Sequence, residues 1–155
     1  MIIDSKKYNS KCSCGREHKM TTEFCIIESG CMHDADTYIH KYGLNGYSVV
    51  IYDENTYKAT ESVHPKADKK IVLPPKNLHA DNHGVAMAMS QIPENCDYLI
   101  AVGSGTVHDI TRYFAYEKNI PFVSCPTAAS VHSGRINLFC RQGWIPHPMG
   151  SRRAR

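Results

Sequence analysis

The segment Leu99–Asp109, LIAVGSGTVHD, decides the fold of this chain. Its first residues form a continuous apolar run, which is typical of a strand buried on both faces of a parallel sheet. The run stops at Gly103, Ser104 and Gly105, and a helical pattern starts directly after them. A strand that passes through glycines into a helix directs backbone N–H groups and the positive end of the helix dipole at one place. Because glycine has no Cβ, the segment predicts a site where an anion such as a pyrophosphate approaches the backbone.

Two observations keep a plain tight turn open as the alternative. The dinucleotide fingerprint G-x-G-x-x-G places a third glycine where this chain has His108. The lysine of a phosphate-binding P-loop is also missing from the segment. The glycine spacing alone therefore does not choose between an anion site and a turn.

Apolar and helix-like segments alternate on both sides of this motif. Short β-branched and aromatic runs predict strands at residues 24–28, 47–52, 69–75, 98–102 and 121–125. Helical patterns predict helices at residues 30–43, 53–61, 82–92 and 106–119. This alternation predicts an α/β fold, a Rossmann-like doubly wound parallel sheet, over residues 24–130. Residues 1–23 are interpreted as a separate N-terminal segment.

The composition fits one domain outside the membrane. The 155 residues, 42% of them hydrophobic, are enough for a core. No apolar run approaches the roughly 18 residues of a membrane span, and the first residues lack the apolar stretch of a secretory signal. We therefore expect a cytoplasmic protein with no membrane partner, whose seven cysteines stay mostly reduced.

The net charge of +3 comes from one end of the chain. Residues 1–130 hold 13 Lys and Arg against 15 Asp and Glu, whereas residues 131–155 hold five Arg and no acidic residue. Because the positive charge is confined to this tail, it forms no basic stripe on a predicted element. The sequence therefore does not indicate a nucleic-acid partner.

Two further polar segments follow predicted strands. Asp53 and Asn55 come directly after strand 47–52, where a carboxylate can accept hydrogen bonds from a ribose or cap the next helix. The segment 126–130, PTAAS, follows strand 121–125, and its small residues suit either a bound flat ring or a tight turn. Ligands of open α/β sheets bind outside the carboxyl ends of the strands, so we expect these segments beside the glycine turn.

Together these segments resemble one enzyme family. Residues 101–131, AVGSGTVHDITRYFAYEKNIPFVSCPTAASV, are similar to the cofactor-binding half of the sn-glycerol-1-phosphate dehydrogenases, and so are YDENTY and CSCGREH. These enzymes belong to the superfamily of dehydroquinate synthases and iron-containing alcohol dehydrogenases. The resemblance implies an NAD(P)-dependent oxidoreductase of phospholipid biosynthesis that reduces dihydroxyacetone phosphate to sn-glycerol 1-phosphate. A dehydroquinate synthase-like enzyme or another metal-dependent alcohol dehydrogenase is the alternative.

The resemblance also implies which residues bind NAD or NADP. Asp53 and Asn55 would meet the adenosine ribose, and Thr127 to Ser130 would flank the nicotinamide side. The pyrophosphate would lie along the glycine turn. The full cofactor set is Asp53, Asn55, Gly103, Ser104, Gly105, Thr106, Val107, His108, Asp109, Thr127, Ala128, Ala129 and Ser130. Asp53 favours NAD, because a carboxylate repels a 2′-phosphate. His108 is expected on the helix surface without a chemical role.

The similarity stops at Val131. Where the family continues with a substrate-contacting aspartate, this chain has His132, and the composition changes to Arg without Lys or acidic residues. Residues 131–155 are interpreted as the aberrant tail of a truncated or frame-shifted product, with a divergent natural end as the alternative. The family's C-terminal helical domain holds a divalent metal, usually zinc, through one Asp and two His. No catalytic residue or metal ligand is therefore assigned here, the chain as given is expected to be inactive, and an uncovered apolar face would favour homo-oligomers.

A cysteine-rich segment near the start supports a different hypothesis. Cys12, Cys14 and His18 form the pattern C-x-C-x3-H, and Cys25 and Cys31 follow. Zinc favours such ligands, but its usual knuckle is C-x2-C, so reduced surface thiols are the alternative. A small zinc-stapled binding module is the non-enzymatic hypothesis for this chain.

Overall fold

The computed structural model describes residues 1–4, 12–15, 22–127 and 137–142. Within these ranges the strands are β1 (Ile2–Asp4), β2 (Thr22–Glu28), β3 (Ser48–Asp53), β4 (Lys69–Leu73), β5 (Tyr98–Gly103), β6 (Phe122–Pro126) and β7 (Asn137–Gln142). The helices are α1 (Ala35–Lys41), α2 (Glu54–Ala59), α3 (Asn82–Met89) and α4 (Gly105–Lys118), and a 3-10 helix spans Glu61–Val63.

All these strands join one mixed sheet in the order β1-β2-β7-β6-β5-β3-β4. The four strands β6, β5, β3 and β4 run parallel to one another, with Ile51 paired to Ala101 and Gly103 paired to Pro126. The strands β1, β2 and β7 add an antiparallel extension on the β6 side. Connections between the parallel strands pass through helices, as parallel pairing requires.

Every residue of the parallel strands β3 and β5 is buried, and so are most residues of β6, whereas the edge strand β4 is buried only at Ile71 and Leu73. Alternate side chains of each strand point to opposite faces. On one face Tyr52, Ile100 and Cys125 pack with α1 residues such as Ile39. On the other face Ile51 and similar residues pack with Ile110 and Phe114 of α4 and with Ala88 of α3. Helices therefore cover both faces, as in a doubly wound sheet.

The predicted fold class is confirmed: the chain is α/β with a Rossmann-like parallel sheet. Each predicted strand and helix has a counterpart among β2 to β6 and α1 to α4. The antiparallel extension was not predicted, and β7 lies inside the segment that was interpreted as a tail. The division of the chain at residues 23 and 130 stays a prediction. Across the described ranges, no helix has the length and apolar character needed to cross a membrane.

Candidate functional site

Three parallel strands end side by side and form what we call the carboxyl edge, the ends of β3, β5 and β6 at Asp53, Gly103 and Pro126. Gly103 pairs with Pro126, and Asp53 lies two positions beyond the Ile51–Ala101 pair. The Thr56 hydroxyl of α2 donates to the carbonyl of Val102 at 3.2 Å, and the Thr127 N–H donates to the carbonyl of Gly103 at 2.9 Å. These bonds bring together the predicted ribose and pyrophosphate segments and Thr127, the first residue of the predicted nicotinamide segment.

The glycine turn opens α4 without a side-chain cap. Ser104 is the N-cap residue with an extended backbone, and its hydroxyl makes no capping hydrogen bond. The first hydrogen bond of the helix runs from the His108 N–H to the Ser104 carbonyl, at 3.2 Å. The N–H groups of Gly105, Thr106 and Val107 precede it and have no partner inside the helix. The turn therefore presents backbone donors and the positive end of a 14-residue helix.

The two glycines of the turn have different reasons to lack a side chain. A Cβ on Gly103 would lie 3.0 Å from Val107 Cβ and 3.3 Å from Thr56 Oγ1, so packing inside the fold excludes it. A Cβ on Gly105 would meet no neighbouring atom within 4 Å, and Gly105 does not have a positive φ. The fold itself therefore does not require glycine at position 105. The open space there fits a bound group that contacts the backbone, such as a phosphate.

Asp53 caps α2. Its Oδ1 accepts from the N–H groups of Asn55 and Thr56, both at 2.9 Å, and the Asp53 N–H donates to Thr56 Oγ1 at 3.2 Å. The N-cap alternative of the sequence analysis is thus what the structure shows. Both bonds to the carboxylate use Oδ1, so the cap does not need Oδ2. The predicted contact of Asp53 and Asn55 with a ribose remains a prediction that the cap does not obstruct.

His108 is half-buried, whereas the sequence analysis expected it on the helix surface. Its Nδ1 lies 2.8 Å from the Ser104 carbonyl, so Nδ1 carries the proton, because a carbonyl only accepts. Its Nε2 is buried and has no hydrogen-bond partner in the described part of the chain. Desolvation by burial lowers the pKa of His108, which keeps the ring neutral. His108 therefore holds the turn carbonyl and keeps a buried acceptor at Nε2.

The other predicted residues of the turn differ in what they present. The Val107 side chain is fully buried beside Gly103, so its side chain belongs to the core and only its backbone faces the turn. The carboxylate of Asp109 pairs with Arg112 at 2.7 Å on the exposed side of α4. Thr127 stands at the end of β6, whereas Ala128, Ala129 and Ser130 lie outside the described residues.

Thr56 is the residue of the carboxyl edge that the sequence analysis missed. It completes the capping box with Asp53 and ties α2 to β5 through the Val102 carbonyl. The pattern Asp-x-x-Thr at the start of a predicted helix was available as a signal for the cap, although the capping box is usually recognised by a Glu or Gln at that position. The bond to Val102 was not available, because it joins residues 46 positions apart.

The described residues offer no metal site with three protein ligands. No group of three or more His, Cys, Asp or Glu side chains converges within them in a way that could hold a metal ion. The carboxyl edge, as described, therefore offers donors for an anion and acceptors for hydroxyl groups, and no set of metal ligands.

Known enzymes are similar to most of this chain. The family model for iron-containing alcohol dehydrogenases matches residues 26–134, which is more than half of the chain. Glycerol-1-phosphate dehydrogenase of Bacillus licheniformis, whose name gives NAD(P)+ as its cofactor, is 34% identical over 141 residues, which cover 84% of this chain and 35% of that protein. The enzyme of the same name from Methanospirillum hungatei is 46% identical over 61 residues, which cover 37% of this chain and 17% of that protein.

A solved structure supports the fold. The crystal structure of glycerol dehydrogenase from Schizosaccharomyces pombe aligns with a TM-score of 0.50 and 22% identity over 63% of this chain and 25% of that one. The matched segment spans 35% of the Bacillus licheniformis enzyme and 17% of the Methanospirillum hungatei enzyme. The part of this chain that the family model matches contains β3 to β6 with the glycine turn. The resemblance drawn from the sequence is confirmed: the chain belongs to the iron-containing alcohol dehydrogenase family.

Proposed function

We propose that the carboxyl edge binds NAD(H) or NADP(H), with the pyrophosphate on the first turn of α4. The observation that carries the proposal is the difference between the two glycines. Gly103 is explained by internal packing, whereas Gly105 leaves room beside uncapped backbone donors. A phosphate group fits this room because its charge suits the helix dipole and its oxygens accept from N–H groups.

The remaining residues of the edge orient the two halves of the cofactor. Asp53 accepts from the hydroxyls of the adenosine ribose through the oxygen that its cap leaves unused, and Asn55 lies beside it. Thr127 and Ser130, with Ala128 and Ala129 between them, flank the nicotinamide side. Asp53 favours NADH over NADPH, since its carboxylate repels a 2′-phosphate.

The relatives suggest the reaction. We propose that the chain contributes the dinucleotide site of an sn-glycerol-1-phosphate dehydrogenase, a cytoplasmic enzyme that reduces dihydroxyacetone phosphate. The cofactor, when bound, supplies the hydride for the carbonyl carbon of that substrate. The residues of this chain bind the dinucleotide and fix its position at the carboxyl edge. The support is the names of the relatives together with the match over β3 to β6.

A divalent metal belongs to the reaction proposed from the resemblance. The described residues do not fit such an ion, since no group of three ligating side chains converges among them. We therefore assign no step to a metal in this chain, and the test of the proposal measures binding.

Isothermal titration of the purified chain with NADH tests the proposal. In Gly105→Asp the new carboxylate occupies the phosphate position, so we expect affinity to fall by about 100-fold or more, from steric exclusion and charge repulsion together. The circular dichroism spectrum should not change, because the added side chain meets no neighbour in the fold.

Gly105→Ala is the matched control. Its methyl group is uncharged and enters the same open space, so we expect an intermediate loss of affinity. We expect unchanged or slightly higher stability, by up to about 1 kcal/mol. NADH binding that survives in Gly105→Asp, or a folded wild-type chain that binds no NADH, would contradict the proposal.

A further inference from the structure

A second candidate site lies away from the carboxyl edge, in the turn Cys12–Gly15. Both Cys12 and Cys14 are exposed thiols. The turn closes through a hydrogen bond from the Gly15 N–H to the Cys12 carbonyl at 3.0 Å. Gly15 has φ +78°, a left-handed conformation that only glycine adopts without strain. The sequence Cys-Ser-Cys-Gly is therefore folded into a tight turn that carries two exposed cysteines two positions apart.

The turn also prepares one sulfur for ionisation. The Cys14 N–H points at Cys12 Sγ at 3.5 Å, within range for a hydrogen bond to sulfur. A thiolate, and not a thiol, is the form that binds metals and attacks disulfides. The backbone of the turn thus stabilises a thiolate beside a second cysteine.

Cys12 and Cys14 differ in exposure from the buried cysteines of the fold, and therefore in reactivity. Burial raises the pKa of Cys31, of Cys96 to about 11, and of Cys125, so those groups stay neutral thiols inside the fold. Cys12 and Cys14 alone combine exposure with a shared turn among the cysteines that the structure describes. Soft divalent cations bind thiolate sulfur in preference to carboxylate and carbonyl oxygens, which are the ligands of harder ions.

We propose that the turn Cys12–Gly15 is a binding site for a soft divalent cation of the zinc type, with Cys12 and Cys14 as its two thiolate ligands. Two thiolates supply two of the four ligands of a tetrahedral zinc ion. In the sequence, His18 is the nearest further donor that zinc accepts, and it lies outside the described residues. The site is independent of the dinucleotide site, which contains no cysteine among its proposed residues.

The test titrates the full chain, reduced and freed of metal, with Co²⁺ and then Zn²⁺. Co²⁺ bound to thiolates gives a sulfur-to-metal charge-transfer absorption. Zn²⁺ should displace the Co²⁺ and abolish this absorption, because thiolate ligands bind zinc more tightly than cobalt. We expect about one Co²⁺ per chain with this band. In Cys12→Ser/Cys14→Ser the band should disappear and the affinity for Zn²⁺ should fall by at least about tenfold, the order of change typical of metal-site variants.

Cys25→Ser is the matched control, because it removes a half-buried thiol of β2 and leaves the turn intact. It should keep both the band and the affinity. The proposal would be overturned if the reduced wild-type chain gave no charge-transfer band, or if the band survived in the double variant. It would also be overturned if the affinity of Cys25→Ser for Zn²⁺ fell as far as that of the double variant. A Cys12–Cys14 disulfide that persists under reducing conditions would overturn it as well. NADH titration of the same variants separates this result from the proposed function, since their NADH affinity should not change.

Discussion

Two helices start at the carboxyl edge, and their starts are built in opposite ways. The first turn of α2 is closed by Asp53, whose carboxylate accepts from two backbone N–H groups. The first turn of α4 begins at Ser104, whose hydroxyl makes no such bond. The start of α3 resembles that of α2, because Asp81 accepts from the N–H groups of His83 and Gly84.

The difference has an electrostatic meaning. A carboxylate at a helix start satisfies the backbone donors and adds a negative charge, and both effects work against binding a second anion. The starts of α2 and α3 are therefore satisfied by side chains of the chain itself, whereas the start of α4 has no side-chain cap. Among the helices that follow parallel strands in the described residues, α4 is the one that starts without a side-chain cap, as the proposed phosphate site requires.

The largest expected effect separates the two glycines of the turn. Gly103→Ala places a methyl group 3.0 Å from Val107 Cβ, and Val107 is fully buried in the first turn of α4. We expect the free energy of unfolding to fall by about 1–3 kcal/mol, the usual cost of overpacking a core. Urea unfolding at constant pH measures this change.

A double variant makes this prediction specific. Val107→Ala removes Cγ2, one of the two Val107 atoms that lie 3.0 Å from the new methyl group, so Gly103→Ala should cost less in that background than in the wild type. Equal costs in the two backgrounds would show that the contact with Val107 Cγ2 is not the reason for glycine. The comparison of Gly103 with Gly105 would then lose its basis.

The next effect compares the two helix starts directly. Asp53→Ala removes the cap of α2 and should lower the free energy of unfolding by about 1 kcal/mol, within the range known for N-caps. Ser104→Ala removes a hydroxyl that caps nothing, so its effect should stay within about 0.5 kcal/mol. Thermal or urea unfolding of both variants, side by side, checks the prediction. If the free energy of unfolding fell as far in Ser104→Ala as in Asp53→Ala, both helix starts would be capped in solution.

A smaller effect concerns the charge of Asp53 rather than its cap. Asn caps a helix as well as Asp does, so Asp53→Asn should keep the stability of the chain. It removes the negative charge that faces a 2′-phosphate, so the ratio of NADPH to NADH affinity should rise about five- to tenfold. Titration of wild type and variant with both cofactors measures the ratio. An unchanged ratio would place the adenosine ribose away from Asp53.

How far the sequence predicts this molecule depends on the range of the interactions. The strand β5 and the helix α4 are visible in the sequence because the apolar run, the glycines and the helical pattern are local signals. The pairing of Cys25 with Cys140, between β2 and β7, joins segments more than 100 residues apart, and composition alone does not reveal it.

The candidate site shows the same division. The position of Gly105 at the start of a helix follows from the sequence, whereas the open space around Gly105 and the close packing of Gly103 against Thr56 and Val107 do not. The sequence leaves two roles open for Asp53 because a cap and a ribose ligand require the same residue type after a strand. The environment of His108 was wrongly expected, since a helical pattern shows which face is apolar but not where the first turn meets the end of a strand.

The last prediction concerns His108 and depends on pH. Burial lowers the pKa of His108 in the folded chain below its ordinary value of 6.5. When the pH falls below about 6.5, the unfolded chain takes up a proton that the folded chain does not accept, so the folded state loses stability. His108→Gln cannot take up this proton. The difference in the free energy of unfolding between wild type and His108→Gln should therefore shift against the wild type from pH 8 to pH 5.5.

Urea unfolding at both pH values measures this difference, and His40→Gln, on the exposed side of α1, serves as the surface control. An identical difference at both pH values would mean that His108 has the same pKa in the folded and the unfolded chain, so that burial does not keep its ring neutral.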